Sequence, residues 1–476
     1  MRTAGLSRRS FLGSLAATAA AASARGAAKL EEPKLRVGIV SDIHVQFAYD
    51  PNDKTKQGHF STRTFENALR YFREKGVDAV IVAGDLTEYG RVKELEASGI
   101  AWNRVFPDDR GLGGKPVTKL IIRGNHDKMG GPPAWAKKPG EAEKEPLIRD
   151  DPAGAFRKAY GIADYAPIMT RKVNGYTFIL ANWGSEGDAG DWIRGHAAEL
   201  PKDRPFFYVQ HPHLKGTNIG AMDRFGKVTE ALKAFPNAVS FSGHSHYPLT
   251  RGDQIWQEEF TAVGTACLQW MANQRGRDNS WVMQKGQVGH GPRASSGGRQ
   301  GLLMEVYADR IVLERREFIT DRDVGPDWVI PLDGSKPYQW AKQKARSVAP
   351  EFPKGAVVTV TRKEAKNRNK EKEMQLQLTF PRPLPADGDK GRTQEYEATV
   401  FRPEDGEGKP LLVRYAFAER YFLADELLAP KGLVCFAESE FPAGAKLCFA
   451  VRAMDSWGMD TKVKSKPIYG DWPGID

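Results

Sequence analysis

Cysteine is scarce, three in 476 residues, which excludes a scaffold held together by disulfides. Long apolar runs are missing beyond the N-terminus, and the one there, about a dozen residues ending at Ala22, is too short for a bilayer core of about 30 Å. A multi-span membrane protein is therefore excluded. Compositional extremes are missing as well: 40% hydrophobic and 27% charged residues are globular values, unlike those of disordered or collagenous chains. Large charge excess is also absent. The formal charge of +10 falls to +7 once a leader carrying Arg2, Arg8 and Arg9 and no acid is set aside. That mild bias suits phosphate-bearing substrates and falls far short of a nucleic-acid footprint. On a prior of roughly 150 residues per domain, the length predicts two or three domains.

What is present begins with the leader. Ser7-Arg8-Arg9-Ser10-Phe11-Leu12-Gly13 precedes the alanine-rich run, and Ala22-Ser23-Ala24 offers small residues for cleavage. Residues 1–24 resemble a twin-arginine export signal. The resemblance implies a periplasmic or secreted protein, exported already folded, with no transmembrane segment in the mature chain. A flexible basic tail or a retained anchor are the alternatives.

From Leu35 onward, short apolar runs end abruptly in polar clusters: Leu35–Val40, Ala79–Ala83, Lys119–Ile122, Tyr176–Ala181, Pro205–Val209 and Ala238–Phe241. Thr64–Lys75 has helical spacing and stops at Gly76. Strand, helix, strand predicts a layered α/β core, and Gly301–Phe318 a hairpin turning near Ala308-Asp309. After Asp321 the pattern changes. Residues 323–353, rich in Pro, Gly and Trp, read as a linker, and Lys363–Glu373 as a solvated charged loop. Alternating runs at Met374–Phe380, Tyr396–Phe401, Leu411–Phe417, Leu433–Ala437 and Lys446–Ala453 predict a small β-sandwich over residues 354–476.

Five polar clusters follow predicted strands: Asp42 and His44 in S-D-I-H, Asp85 in G-D-L-T, Asn125, His126 and Asp127 in G-N-H-D, His211 and His213 in Q-H-P-H, and His244 and His246 in G-H-S-H. They hold six of the nine histidines. Ligands collect at the carboxyl ends of strands in open α/β sheets. Carboxylate, imidazole and amide oxygen together make a shell suited to Mn, Fe or Zn. Single Asp-x-His or His-x-His pairs are weak signals, whereas five clusters in series are specific.

The series D-x-H, G-D, G-N-H, H, G-H-x-H resembles the calcineurin-like metallophosphoesterases, with all five motifs intact over roughly residues 35–322. The resemblance implies a layered β-sandwich core flanked by helices and two divalent or mixed-valence metal ions. Asp42, His44, Asp85 and His246 would hold one ion and Asp85, Asn125, His211 and His244 the other, with Asp85 bridging. It also implies a metal-bridging hydroxide as nucleophile and His126 as general acid or charge stabiliser, with Asp127 orienting its imidazole. His213 is either a substrate contact or a hydrogen-bonded loop residue. His59 and His290 read as surface residues. Trp183, Tyr247 and Trp270 are candidates for a pocket wall or for core packing.

Finer motif details bear on the substrate. Purple acid phosphatases place a tyrosine ligand three residues after the bridging aspartate, where this chain has Glu88. Asp42-Ile43-His44, Gly84-Asp85-Leu86-Thr87 and Gly124-Asn125-His126-Asp127 together resemble the class III cyclic-nucleotide phosphodiesterase branch and point to a phosphodiester, in a small molecule or a headgroup. A phosphomonoesterase on the same metals is the alternative; a non-catalytic binding protein and a nuclease are less favoured. Met271–Gln300, with five positive residues and one negative, reads as a solvated loop or alternatively as a phosphate clamp. Lys128–Arg171 is long enough to form a cap, with a helix near Ala153–Tyr160. Lys446–Gly458 resembles a late strand and turn of a fibronectin type III-like sandwich. Cys435 and Cys448, on strands expected to be adjacent, are either a disulfide or two free thiols, and Cys267 is a core thiol.

Overall fold

A computed structural model describes residues 31–46, 57–131, 145–220, 223–271, 275–280, 283–294, 298–385, 388–418 and 430–474. The leader, the His59 side chain and residues 132–144 of the expected cap lie outside the described set.

Fully apolar runs such as Ala79–Ala83 and Phe206–Val209 are buried at every position, as parallel strands covered on both faces must be. They build two sheets. One orders β12 (Arg322–Asp323), β11 (Arg310–Glu317), β10 (Gln300–Val306), β1 (Leu35–Val40), β2 (Ala79–Ala83) and β3 (Thr118–Ile122), and β13 (Trp328–Pro331) also pairs with β11. The other orders β4 (Ile168–Val173), β5 (Tyr176–Ala181), β6 (Phe206–Val209), β7 (Ala238–Ser242), β9 (Thr261–Gly264) and β8 (Ile255–Gln257). The strands β1 to β3 run parallel, as do β5, β6, β7 and β9.

Strand alternation divides each sheet between two cores. Val37, Ile39, Ile81 and Leu120 meet Phe178, Leu180, Phe207 and Phe241 between the sheets. Val40, Val80, Val82 and Ile121 face outward onto α1 (Gln57–Glu74), α2 (Val92–Val105) and α3 (Pro152–Tyr160). On the far side, Ile179, Phe206, Tyr208 and Ala238 face α4 (Glu186–Gly195) and α5 (Lys227–Leu232). The result is the layered core expected, with every motif loop at one edge. Helix α3 lies in the outer helix layer, with Phe156 and Tyr160 buried there. That segment of the expected cap therefore packs away from the motif loops.

The C-terminal unit has two antiparallel sheets around a core that includes Leu376, Val400, Phe436 and Phe449. One is β14 (Thr359–Lys366), β15 (Lys372–Pro381) and β18 (Lys431–Ala437); the other is β17 (Leu412–Phe417), β16 (Glu395–Phe401), β19 (Leu447–Met454) and β20 (Ile468–Trp472). Two readings need correction. The charged run Lys363–Glu373 is the tip of the β14–β15 hairpin, because an edge strand can face solvent with charged side chains. The expected linker contains β13, which extends the first sheet, and α6 (Trp340–Ala345).

Residues 275–294 differ most from expectation. Instead of floating in solvent, the described part of this loop is laced to the C-terminal sandwich. Arg277 forks onto Glu395, at 2.7 and 3.0 Å. Asn279 exchanges two hydrogen bonds with the Phe417 backbone. His290, buried rather than on the surface, pairs with Glu373 at 2.8 Å, and its carbonyl accepts from Gln375.

All three cysteines are free. Val434 and Phe436 face the sandwich core, so Cys435 between them points the other way, toward Gly291. Cys448, flanked by the core residues Leu447 and Phe449, likewise points out of the opposite sheet. The two strands belong to different sheets and the thiols face apart, which leaves no route to a disulfide. Alkylation of the denatured, unreduced chain is expected to label three thiols, with Cys448 alone reacting readily in the native state; mass spectrometry showing a Cys435–Cys448 cross-linked peptide would refute this.

Candidate metal centre

The five clusters meet at the carboxyl edges of the two sheets. Asp42 and His44 leave β1, Asp85 leaves β2, Asn125 and His126 leave β3, His211 leaves β6, and His244 and His246 leave β7. Backbone bonds knit the loops together: Asp42 N–H donates to the Gly84 carbonyl and His44 N–H to the Asp85 carbonyl. Five of these residues, Asp42, His44, Asp85, His244 and His246, have left-handed backbones, φ between 50° and 69°. Non-glycine residues tolerate that region poorly, and its concentration here marks strain held by the surrounding fold. Two motif glycines are required by close approach. A β-carbon at Gly124 would collide with the Asp85 carboxylate, and one at Gly243 would come within 2.5 Å of Asp42 Oδ2.

Two of the imidazoles are oriented in a common way. His211 Nδ1 lies 2.7 Å from the Ala83 carbonyl and His246 Nδ1 2.7 Å from the Trp270 carbonyl. A carbonyl only accepts, so both rings carry their proton on Nδ1 and present Nε2 inward. His211 Nε2 then lies 3.1 Å from Asp85 Oδ2, and His246 Nε2 3.1 Å from Asp42 Oδ1. His44 Nε2 sits 3.2 Å from His246 Nε2 and 3.8 Å from Asp85 Oδ2.

Among the described residues three groups could each hold a metal ion, with ligand atoms within 4.8 Å of one another in each: Asp42, His44 and His246; Asp85, His211 and His244; and His44, Glu88 and His126, which shares His44 with the first. The donor set fits divalent transition metals. So do the loose ends, because Asn125 Oδ1 and His211 Nε2 are buried without a hydrogen-bond partner. Burial alone would lower the His211 pKa, but the Asp85 carboxylate reverses this and raises it to about 9. His246 rises to about 10 against the same cost through Cys267 and Asp42. His244 is pushed down to about 4 by burial and by His211. Protonated imidazoles thus stand among the buried carboxylates where metal cations fit.

Sequence reasoning misassigned one partner. Asp127 does not reach the His126 ring. It is fully buried and accepts from Gly124 N at 2.7 Å, Thr87 N at 2.9 Å and Thr87 Oγ1 at 2.8 Å, tying the second and third motif loops together. The His126 ring is oriented instead by the Glu88 carbonyl, 2.8 Å from Nδ1, and its side chain remains 26% exposed. His213 is a hydrogen-bonded loop residue, buried with Nε2 2.6 Å from Ser245 Oγ. Tyr247 is buried beside Arg251. Trp183 and Trp270 flank the centre from opposite sides: Trp183 lies 5.4 Å from the His244 ring, and Trp270 4.1 Å from the His246 ring. The Trp270 carbonyl was missed because no residue type signals a backbone acceptor.

A family model for calcineurin-like phosphoesterases matches residues 35–248. No curated protein matches the chain. Among solved structures, a dimetal phosphatase from Danio rerio is similar at 12% identity and a TM-score of 0.36, covering 63% of this chain and 99% of its own. A purple acid phosphatase from yellow lupin seeds is similar at 13% identity and a TM-score of 0.35, covering 62% of this chain and 53% of its own. The family match thus assigns the calcineurin-like phosphoesterase pattern to residues 35–248, the part of the chain that carries the five clusters.

Proposed function

We propose that the chain is an exported phosphodiesterase working at a two-metal site. Asp42, His44, Asp85 and His246 would hold one ion, and Asp85, Asn125, His211 and His244 the other. The observation carrying this reading is the convergence of inward-facing imidazole Nε2 atoms on two buried carboxylates, together with the orphaned Asn125 Oδ1. Divalent ions of the Mn, Fe or Zn type, bound there, would stabilise charge on phosphoryl oxygens and lower the pKa of water.

The chain's own residues supply the rest. His126 keeps Nδ1–H on the Glu88 carbonyl, which leaves Nε2 for the substrate. From there an imidazolium can protonate the leaving oxygen or stabilise developing charge. His126 N–H donates to Asp85 Oδ1 at 2.8 Å, so the acid is held in register with the buried carboxylate. Trp183 and Trp270 pack against the ligand imidazoles. The diester preference rests on Asp127 following G-N-H and on Glu88 standing where purple acid phosphatases carry tyrosine. Export rests on the Arg8-Arg9 leader, and the substrate class, a small molecule or headgroup, on the mild net charge.

Three outcomes are expected. Metal-loaded wild type holds about two ions per chain and turns over bis-(p-nitrophenyl) phosphate, while His126→Ala keeps the ions and loses roughly 10²–10⁴-fold in kcat; turnover of the monoester alone would overturn the diester assignment. Asp127→Ala strands buried backbone donors on two loops and lowers unfolding free energy by about 2–4 kcal/mol, read by denaturant titration. Metal loading releases protons, because His211 at about 9 and His246 at about 10 must become neutral to bind. Below those values apparent affinity falls with falling pH, by roughly tenfold per unit for each proton displaced; calorimetry in buffers of different ionisation enthalpy counts the protons, and a count of zero would contradict the arrangement.

A further inference from the structure

His44 is held differently from His126, His211 and His246. Backbone carbonyls accept from Nδ1 of His126, His211 and His246. Nδ1 of His44 faces a carboxylate instead: Glu88 Oε2 lies 2.8 Å away as an ion-pair contact, and among the described residues no aligned hydrogen bond reaches either atom. Glu88 is mostly buried, with 18% of its side chain exposed, and its backbone N–H is tied to the Val45 carbonyl at 2.9 Å. It lies between two rings that meet edge to face, His44 and His126, whose centroids are 4.6 Å apart. The same residue therefore holds His44 with its side chain and His126 with its main chain.

We propose that Glu88 is a positioning residue that makes the two metal positions unequal, its carboxylate fixing His44 for one ion while its carbonyl fixes His126 for the substrate. This rests on the two-metal reading above. A carboxylate on the far nitrogen of a ligating imidazole fixes the tautomer and ring angle and increases the donor strength of the near nitrogen. A carbonyl fixes the ring without adding a full negative charge. The ion held by Asp42, His44 and His246 would thus be bound by a more strongly donating set than the ion held by Asp85, His211 and His244. Glu88 also lies beside His126 Nδ1, with Oε1 3.9 Å away, but the short contact there comes from the main chain.

That division makes the proposal testable, because truncating the side chain leaves the carbonyl in place. The full chain is titrated with Mn²⁺ or Zn²⁺ against a competing chelator, as wild type, Glu88→Ala and Glu88→Gln, and the metal-free melting temperature is recorded for each. In Glu88→Ala one of the two ions is expected to bind about 10–100-fold more weakly while the other is unchanged. Glu88→Gln, which keeps an oxygen beside Nδ1 and loses the charge, is expected to fall between wild type and Glu88→Ala. Equal weakening of both ions together with a lower metal-free melting temperature would show a merely structural role and overturn the proposal. So would two unchanged affinities, or a third ion lost in Glu88→Ala, which would make Glu88 a ligand. Wild type that fails to bind two ions would instead sink the two-metal reading itself.

Discussion

Two carboxylates with almost no solvent, Asp42 and Asp85, set the terms for the rest of the domain. An ionised carboxylate taken out of water costs several kcal/mol unless something positive or hydrogen-donating meets it. Here the supply comes from every neighbouring strand end: imidazoles from β1, β6 and β7, and backbone N–H groups of His126 and His244. Left-handed turns at about 1–3 kcal/mol each are what it takes to aim these groups inward. The two mixed sheets, anchored by fully apolar parallel strands at their centres, provide the rigidity that holds such turns in place.

The same constraint explains how much was legible in the sequence. Apolar runs ending in Asp, Asn or His mark strands that stop where chemistry starts, so the motif loops and their common edge followed from pattern alone. Burial at every position of β2 and β6 reflects the apolar runs in their sequences. What escaped were relations between distant segments and choices between equivalent faces. Nothing in Pro152–Tyr160 says that Phe156 packs under α2 rather than over the site. The positive charge of residues 275–293 looked solvent-bound because its counterions, Glu395 and Glu373, lie about a hundred residues away in sequence. Asp127 reads in the sequence as a partner of its neighbour His126, whereas its partners are backbone groups on two loops and the Thr87 hydroxyl.

The C-terminal sandwich is consequently more than an appendage. Trp270, which holds His246 by its carbonyl and lies against that ring, is followed a few residues later by Arg277, which is fastened to Glu395 of β16. Arg251, on the loop after the last motif, has a guanidinium nitrogen 3.7 Å from the same carboxylate. One buried glutamate in the second unit therefore receives a cation from each side of the segment that walls the metal centre.

The three unpaired thiols, two of them facing out of opposite sheets, carry a consequence for where this shape is attained. No disulfide closes the fold, so non-covalent contacts, ion pairs among them, bring residue 42 beside residue 246 and residue 277 beside residue 395. Such a chain needs no oxidant to finish folding. Its architecture is equally attainable in a thiol-rich compartment and in an oxidising one.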